Sequence, residues 1–81
     1  MPKLKTLSGR DVIKILAVFG FIVIAQRGSH VKLVRILPDS TKQPLTIPVH
    51  PELDKGTLKA IFRQASRYIP ETELKPHFYS E

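Results

Sequence analysis

The chain has 81 residues and no cysteine, which leaves room for one hydrophobic core and excludes a disulfide framework or a thiolate zinc site. Its Lys and Arg number 13 against 7 Asp and Glu, a net charge of +6. Such a charge favours a polyanionic partner, with nucleic acid first, although many small domains are basic only for solubility.

The N-terminal region superficially resembles a secretory signal, because a basic segment is followed by the apolar run 15–25. The run is shorter than the ~20 residues that a membrane-spanning helix needs. Ala25-Gln26-Arg27 is also a poor cleavage context. We therefore expect helix, turn and strand here, in a cytoplasmic protein with no membrane partner.

The first predicted helix runs from about Gly9 to Phe19. Ser8 can cap it, Asp11 is favourable in its first turn, and Gly20 follows where a left-handed residue is expected. Three strands are then predicted, separated by turn signals at 27–29 and 38–41, over about Phe21–Ala25, His30–Leu37 and Leu45–Val49. Pro48 places the third strand at a sheet edge, or ends it.

The second predicted helix runs from about Gly56 to Tyr68, with Asp54 or Thr57 as its cap. Cations recur on it every four residues and should form one exposed row: Lys55, Lys59, Arg63 and Arg67. This row could contact a phosphate backbone, face an acidic protein or simply be solvated.

These elements predict an α+β fold with α-β-β-β-α order, in which two helices cover one face of a three-stranded antiparallel sheet. Residues 1–81 are expected to form a single domain. Residues 69–81 are an uncertain C-terminal extension, since their pattern permits either packing or fraying.

Most familiar catalytic sites have no motif in this chain. The three histidines lack metal-ligand spacing, and there is no triad motif, glycosidase carboxylate pair or glycine-rich phosphate loop. We expect neither a metal nor a small-molecule cofactor.

The segment Gly28-Ser29-His30 is the best candidate site. Glycine at a turn lets the backbone approach a ligand closely, and an imidazole exchanges protons near neutral pH. RNA supplies its own nucleophile, the 2′-hydroxyl, so one histidine beside the cations Arg27 and Lys32 suffices in principle for strand scission.

The residues alone leave a structural interpretation of each histidine open. A single histidine at the start of a strand is more often an exposed surface residue than a catalyst. We interpret His50, between Val49 and Pro51, as a turn residue that bonds backbone, and His77 as a solvated residue of the tail.

Several segments in order resemble the HicA toxins of bacterial and archaeal type II toxin–antitoxin systems. They are residues 8–16, Gly28-Ser29-His30, residues 47–51 and residues 55–61. The resemblance implies a fold like a double-stranded-RNA-binding domain, ribonuclease activity on mRNA and a HicB-type antitoxin as partner. It also implies that His30 is catalytic and that Gly28 and Ser29 shape the site around it. Many members have a second histidine where this chain has Val31.

The leading hypothesis is therefore a metal-independent endoribonuclease, an mRNA interferase. In it, His30 is the general base or acid, Ser29 and the Gly28 backbone orient the phosphate, and four cations hold the RNA backbone: Arg27, Lys32, Lys59 and Arg63. The alternatives are a non-catalytic RNA-binding module of the same fold and an interaction protein whose basic face meets an acidic antitoxin-like subunit.

Overall fold

A computed structural model describes residues 2–80 of the chain. Its elements are β1 (Lys3–Leu4), α1 (Gly9–Val18), β2 (Ile22–Arg27), β3 (His30–Ile36), β4 (Lys42–Pro48), α2 (Lys55–Ala65), α3 (Glu71–Phe78) and β5 (Tyr79–Ser80). Strands β2, β3 and β4 form one antiparallel sheet in that order, and β1 pairs with β5 in a second. The α+β class and the predicted α-β-β-β-α order are confirmed.

Both long helices begin as the sequence indicates. The hydroxyl of Ser8 accepts a hydrogen bond from the Asp11 amide at 3.0 Å, and the Asp11 carboxylate accepts one from the Ser8 amide at 3.0 Å. This reciprocal pair satisfies amides that have no partner inside the helix. The carboxylate of Asp54 caps α2 by accepting from the Thr57 amide at 2.7 Å, and Gly20 has the expected positive φ, +93°.

The helices cover one face of the three-stranded sheet, and on the other face Val34 is buried, at 4 % exposed, while His30, Lys32 and Ile36 are exposed. The inner face packs against the helices and includes Val31, Leu33, Leu45 and Ile47, all at most 4 % exposed. The apolar side of each helix completes this core, with Val12 and Leu16 from α1 and with Leu58, Ile61 and Ala65 from α2. The outer face carries the alternate residues of β3, beginning with His30.

The C-terminal segment packs against the domain. Leu74 and Phe78 on α3 are fully buried, and the Phe62 ring meets that of Phe78 edge-on at 5.4 Å. The amide of Lys5 donates to the carbonyl of Phe78, which holds the N-terminal segment to the end of α3. The sequence left both packing and fraying open here because α3 has only two buried positions and contains Pro76.

Three predicted boundaries differ from the structure by two residues or more. Strand β4 begins at Lys42 rather than Leu45, because an edge strand tolerates Pro44. Helix α2 ends at Ala65 rather than Tyr68, since the turn after Ser66 brings Ile69 into the core. Strand β2 extends to Arg27 through its pairing with His30. None of the helices within residues 2–80 is long and apolar enough to cross a membrane.

Candidate functional site

The turn between β2 and β3 consists of Gly28 and Ser29, flanked by the directly paired residues Arg27 and His30. Gly28 has φ +55° while Ser29 has no positive φ, the combination found in type II′ hairpin turns, which require glycine first. The side chain of Gln26 steadies the turn by donating from Nε2 to the Gly28 carbonyl at 3.0 Å. The backbone of residues 28–29 is therefore held in one conformation at the surface.

His30 is exposed at the first position of β3, opposite Arg27 on one side and Pro48 on the other. Side chains paired in this way have Cβ atoms ~4.5–5.5 Å apart, so a guanidinium on one can reach a group bound to the other. Lys32, two residues along, lies on the same outer face and is also exposed. The structure thus brings an imidazole and two cations together beside an ordered turn.

The N-terminus of α1 is fixed against the same end of the sheet. The Ser29 carbonyl accepts from the Val49 amide at 2.6 Å, and the His50 carbonyl accepts from the Gly9 amide at 2.9 Å. A Cβ atom on Gly9 would lie 2.1 Å from the Pro48 carbonyl oxygen. Only glycine permits this approach of α1, and the helix in turn supports the strand end that faces His30.

The junction between α1 and the end of β4 forms a cavity that the sequence did not predict. This cavity of about 330 Å³ is lined by Ser8, Arg10, Val49, His50 and Pro51. His50 lies in the loop after β4, as predicted, and its carbonyl bonds the backbone of α1. A glycine in the first turn of an otherwise regular helix was the signal for a close backbone approach.

The carboxylates at the two helix starts are held ionised by hydrogen bonds. The Ser8 amide, followed by the Ser8 hydroxyl, lowers the pKa of Asp11. The Thr57 amide, followed by the Thr57 hydroxyl, lowers the pKa of Asp54, with a smaller contribution from the charge of nearby His50. Both acids are therefore engaged in helix capping.

Two of the predicted substrate-binding cations lie elsewhere. Lys59 and Arg63 are exposed on α2 and line a cavity of about 290 Å³ with Phe62, Ser66, Glu71 and Tyr79. Helix α2 covers the inner face of the sheet, whereas His30, Arg27 and Lys32 stand on the outer face. The structure groups Arg27, Gly28, Ser29, His30 and Lys32, and places Lys59 and Arg63 on a second surface. The row from Lys55 to Arg67 is exposed throughout, as predicted.

Position 31 faces away from the candidate site. Val31 is 4 % exposed, pairs with Gln26 and Ile47, and belongs to the core. Successive residues of a strand point to opposite faces, so a side chain at position 31 does not stand beside His30. A second imidazole at this position would enter the core side of the sheet.

Comparison with known families gives one match. A family model described as the HicA toxin of bacterial toxin–antitoxin systems matches residues 9–66. The matched segment covers well over half of the chain and includes the turn, His30 and both long helices. No curated protein and no solved structure matches the chain.

Proposed function

Because the chain belongs to the HicA family of toxins of toxin–antitoxin systems, we propose that it is a metal-independent endoribonuclease that cleaves mRNA with His30 as its acid–base group. The observation that carries this proposal is the exposed imidazole of His30, paired across the sheet with Arg27 at an ordered Gly-Ser turn. A HicB-type antitoxin is the partner that would inhibit it.

In the proposed reaction, His30 removes the proton of a ribose 2′-hydroxyl. The 2′-oxygen attacks the adjacent phosphorus, a new O–P bond forms, and the bond from phosphorus to the 5′-oxygen breaks. The proton passes from the imidazole to the departing 5′-oxygen, which leaves a cyclic phosphate on the other fragment. Arg27 and Lys32 offset the charge that develops on the phosphate oxygens.

In the proposed reaction, the turn positions the phosphate and transfers no proton. Gly28 presents its backbone without a Cβ, and apart from its two chain neighbours no described residue has an atom within 4 Å of where that Cβ would be, so a phosphate can approach the chain there. Ser29, the next residue, is exposed as well. The Ser29 carbonyl is already bonded to Val49, which fixes the turn against β4.

The proposed step draws on charges that the site itself carries. The cations at the site, Arg27 and Lys32, can supply the positive charge that a metal would otherwise bring to a phosphate.

A second candidate function is a non-catalytic RNA-binding module. It is favoured by the cross-strand neighbours of His30, which are Arg27 and Pro48 and provide neither a carboxylate nor a second imidazole. In that case the outer face would bind phosphates without cleavage. One general acid or base contributes about 10²–10⁴-fold to a rate, so a single histidine predicts a slow enzyme.

The two functions separate in a cleavage assay on unstructured RNA in the presence of EDTA. We expect the wild type to cut and His30→Ala to lose activity by about 10²–10⁴-fold while still binding RNA. The matched control is His77→Gln, because His77 packs against Phe19 at the far end of the molecule and should leave cleavage unchanged.

Equal cleavage by the wild type and His30→Ala would overturn the assignment of His30. Binding without cleavage by both proteins would establish the RNA-binding module instead. If neither RNA binding nor cleavage occurs at low salt, only a protein partner remains. An acidic protein encoded in the neighbouring reading frame that stops cleavage would support the antitoxin assignment.

A further inference from the structure

Strand β2 is exposed along its whole length although it is rich in large apolar residues. All six of its residues are exposed, and Ile22, Val23 and Ile24 retain 55 %, 53 % and 51 % of their surface. Val23 points to the inner face, opposite Leu33, which is fully buried. The helices therefore cover the inner face at β3 and leave it open at β2.

A groove runs between this uncovered face and α1. Its cavity of about 390 Å³ is lined by Arg10, Ile13, Lys14, Val23, Gln26, Val31 and Val49. The three residues from α1 have the spacing of one helix face. On the strand, the bulge between Val23 and Ala25 turns both Val23 and Gln26 inward, opposite Leu33 and Val31. Helix and strand thus form two walls of one groove with an apolar floor.

The outer edge of β2 is also free to form hydrogen bonds. The sheet order β2-β3-β4 leaves β2 and β4 as edges within the described part of the chain. Strand β4 carries Lys42, Pro44 and Pro48, residues that discourage pairing with a further strand. From Ile22 to Gln26, β2 has no proline and no charge, and its bulge is its single irregularity.

The charges around the groove are of one sign. Arg10 and Lys14 stand on its helical wall and no carboxylate is among its lining residues. Asp11, the acidic residue of α1, directs its carboxylate to the Ser8 amide at the helix start. Arg27 ends the strand. A segment that fits this groove therefore needs apolar side chains toward its floor and negative charge toward α1.

We propose that an extended, acidic segment of another protein adds to β2 as a further antiparallel or parallel strand, with its apolar side chains in the groove and its carboxylates against Arg10 and Lys14. Strand addition of this kind takes affinity from backbone hydrogen bonds and specificity from pockets for alternate side chains. This interaction does not depend on the chemistry of His30.

The groove fits a polypeptide better than RNA or a second copy of the chain. Its walls offer no aromatic ring on which a base could stack, and stacking is the usual source of affinity for single strands. Pairing of β2 with its own copy would bring together two molecules of charge +6 and their groove cations. An acidic strand offsets that charge.

The test uses a capped heptapeptide in which valine and glutamate take turns at the odd positions and threonine fills the even ones, so that both face the groove. Its charge-reversed control has lysine in place of glutamate. Binding is followed by fluorescence anisotropy, and the position by amide chemical shifts and hydrogen exchange of the full chain. We expect the glutamate peptide to bind, with protection of β2 amides that are not bonded to β3. The lysine peptide should not bind.

Two pairs of variants locate the contact. Val23→Glu places a negative charge in the groove, where it repels the glutamates, and should weaken the glutamate peptide about tenfold or more. Its control is Ile36→Glu, at a residue of similar exposure (55 % against 53 % for Val23) that lies on the outer face. Lys14→Glu should weaken binding to a similar degree, whereas Lys42→Glu, on the β4 edge, should not.

The proposal fails if both peptides bind alike, if Val23→Glu binds as the wild type does, or if the protected amides belong to β4. It also fails if sedimentation shows a dimer that Val23→Glu dissociates, because a second copy would then cover β2. Loss of RNA binding in Val23→Glu but not in Ile36→Glu would assign the groove to RNA instead. RNA cleavage by Val23→Glu, measured separately, shows that a failure here leaves the assignment of His30 untouched.

Discussion

The two ends of strand β3 differ in how their polar side chains are used. Arg35, near the C-terminal end, donates to the side chain of Gln43 and to the carbonyls of Phe19 and Tyr68, at 2.8, 3.0 and 2.6 Å. Its guanidinium also lies 5.2 Å from the ring centre of Phe21. His30, roughly 17 Å away at ~3.4 Å per residue, is exposed and makes no side-chain hydrogen bond within residues 2–80.

One end of the strand is therefore tied to the helices by a side chain, and the other end leaves its side chain exposed. Arg35 satisfies carbonyls at the ends of two helical segments, so it joins α1, β3 and the turn after α2. The His30 end is held by backbone contacts instead, between Ser29 and Val49 and between Gly9 and His50. The proposed function needs an imidazole that is free to meet a substrate, and the scaffold beneath His30 is built from main chain.

The largest expected effect comes from Arg35→Ala. It removes three hydrogen bonds and leaves the carbonyls of Phe19 and Tyr68 without this partner in a partly buried region. We expect the free energy of unfolding to fall by about 2–4 kcal/mol, measured by urea denaturation. The matched control is Arg27→Ala at the open end, which should change it by no more than about 0.5 kcal/mol. Equal losses would show that the two ends do not differ.

A smaller loss is expected from Gly9→Ala, which tests the backbone support at the His30 end. The new Cβ would meet the Pro48 carbonyl oxygen, a backbone atom that cannot rotate away, so α1 must move. We expect destabilisation of about 1–3 kcal/mol, accompanied by shifts in the amide resonances of residues 28–30.

Gly56→Ala provides the control for helix propensity. A Cβ on Gly56 has 3.8 Å to the Asp54 carboxylate, which is ordinary contact, and alanine restricts the unfolded chain. Stability should therefore stay the same or rise by about 0.4–1 kcal/mol. A loss equal to that of Gly9→Ala would indicate that neither effect comes from the contact with Pro48.

The smallest expected effect is a loss of local stability at the two helix starts in acid. Asp11 and Asp54 cap the helices that begin at the His30 end, and their amide hydrogen bonds lower their pKa below the usual 3.8. A carboxylate with a lowered pKa in the folded state stabilises the fold above its unfolded pKa, and that contribution is lost as pH falls through the folded pKa. We expect amides in the first turns of α1 and α2 to exchange faster with solvent as pH falls below about 4, relative to the intrinsic rates.

Asp54→Asn sharpens this test, because asparagine caps helices well but does not titrate. It should flatten the pH dependence at α2 and leave that at α1 in place. Asp39 serves as the reference at the opposite end, where the Thr41 hydroxyl and amide lower its pKa. The prediction would be contradicted if, as pH falls, amide exchange accelerated at the Asp39 turn but not at the starts of α1 and α2.

Much of the fold could be predicted from local patterns. The helix starts and the turn after α1 could be located from three residues, Ser8, Gly20 and Asp54. Each of them interacts only with residues close to it in the chain. Arg35 could not be interpreted in this way, since its three partners are distant in sequence and meet only when the helices pack. The C-terminal helix was not predicted for the same reason. Leu74 and Phe78 are too few apolar residues to indicate a helix in the sequence, and they become buried only when the segment packs against the core.

The candidate site was also predictable only in part. The local segment around Gly28-Ser29-His30 indicated where an imidazole and a cation would meet, because a two-residue turn places its flanking residues opposite each other. Lys59 and Arg63 were joined to that segment by charge alone, and the structure sets them on another surface. Charge is visible in sequence, whereas the face on which it stands depends on packing.

The amino-acid sequence by itself determined the family resemblance, the order of the central elements and the turn before His30. The elements and the turn could be predicted because they depend on interactions between residues close together in the chain. Only the tertiary structure decided which face His30 shares with Arg27 and Lys32, how Gly9 brings α1 to the end of β4, and that β2 remains uncovered. Those features depend on sheet register and on which surfaces the helices bury, and both arise from contacts between residues far apart in the chain.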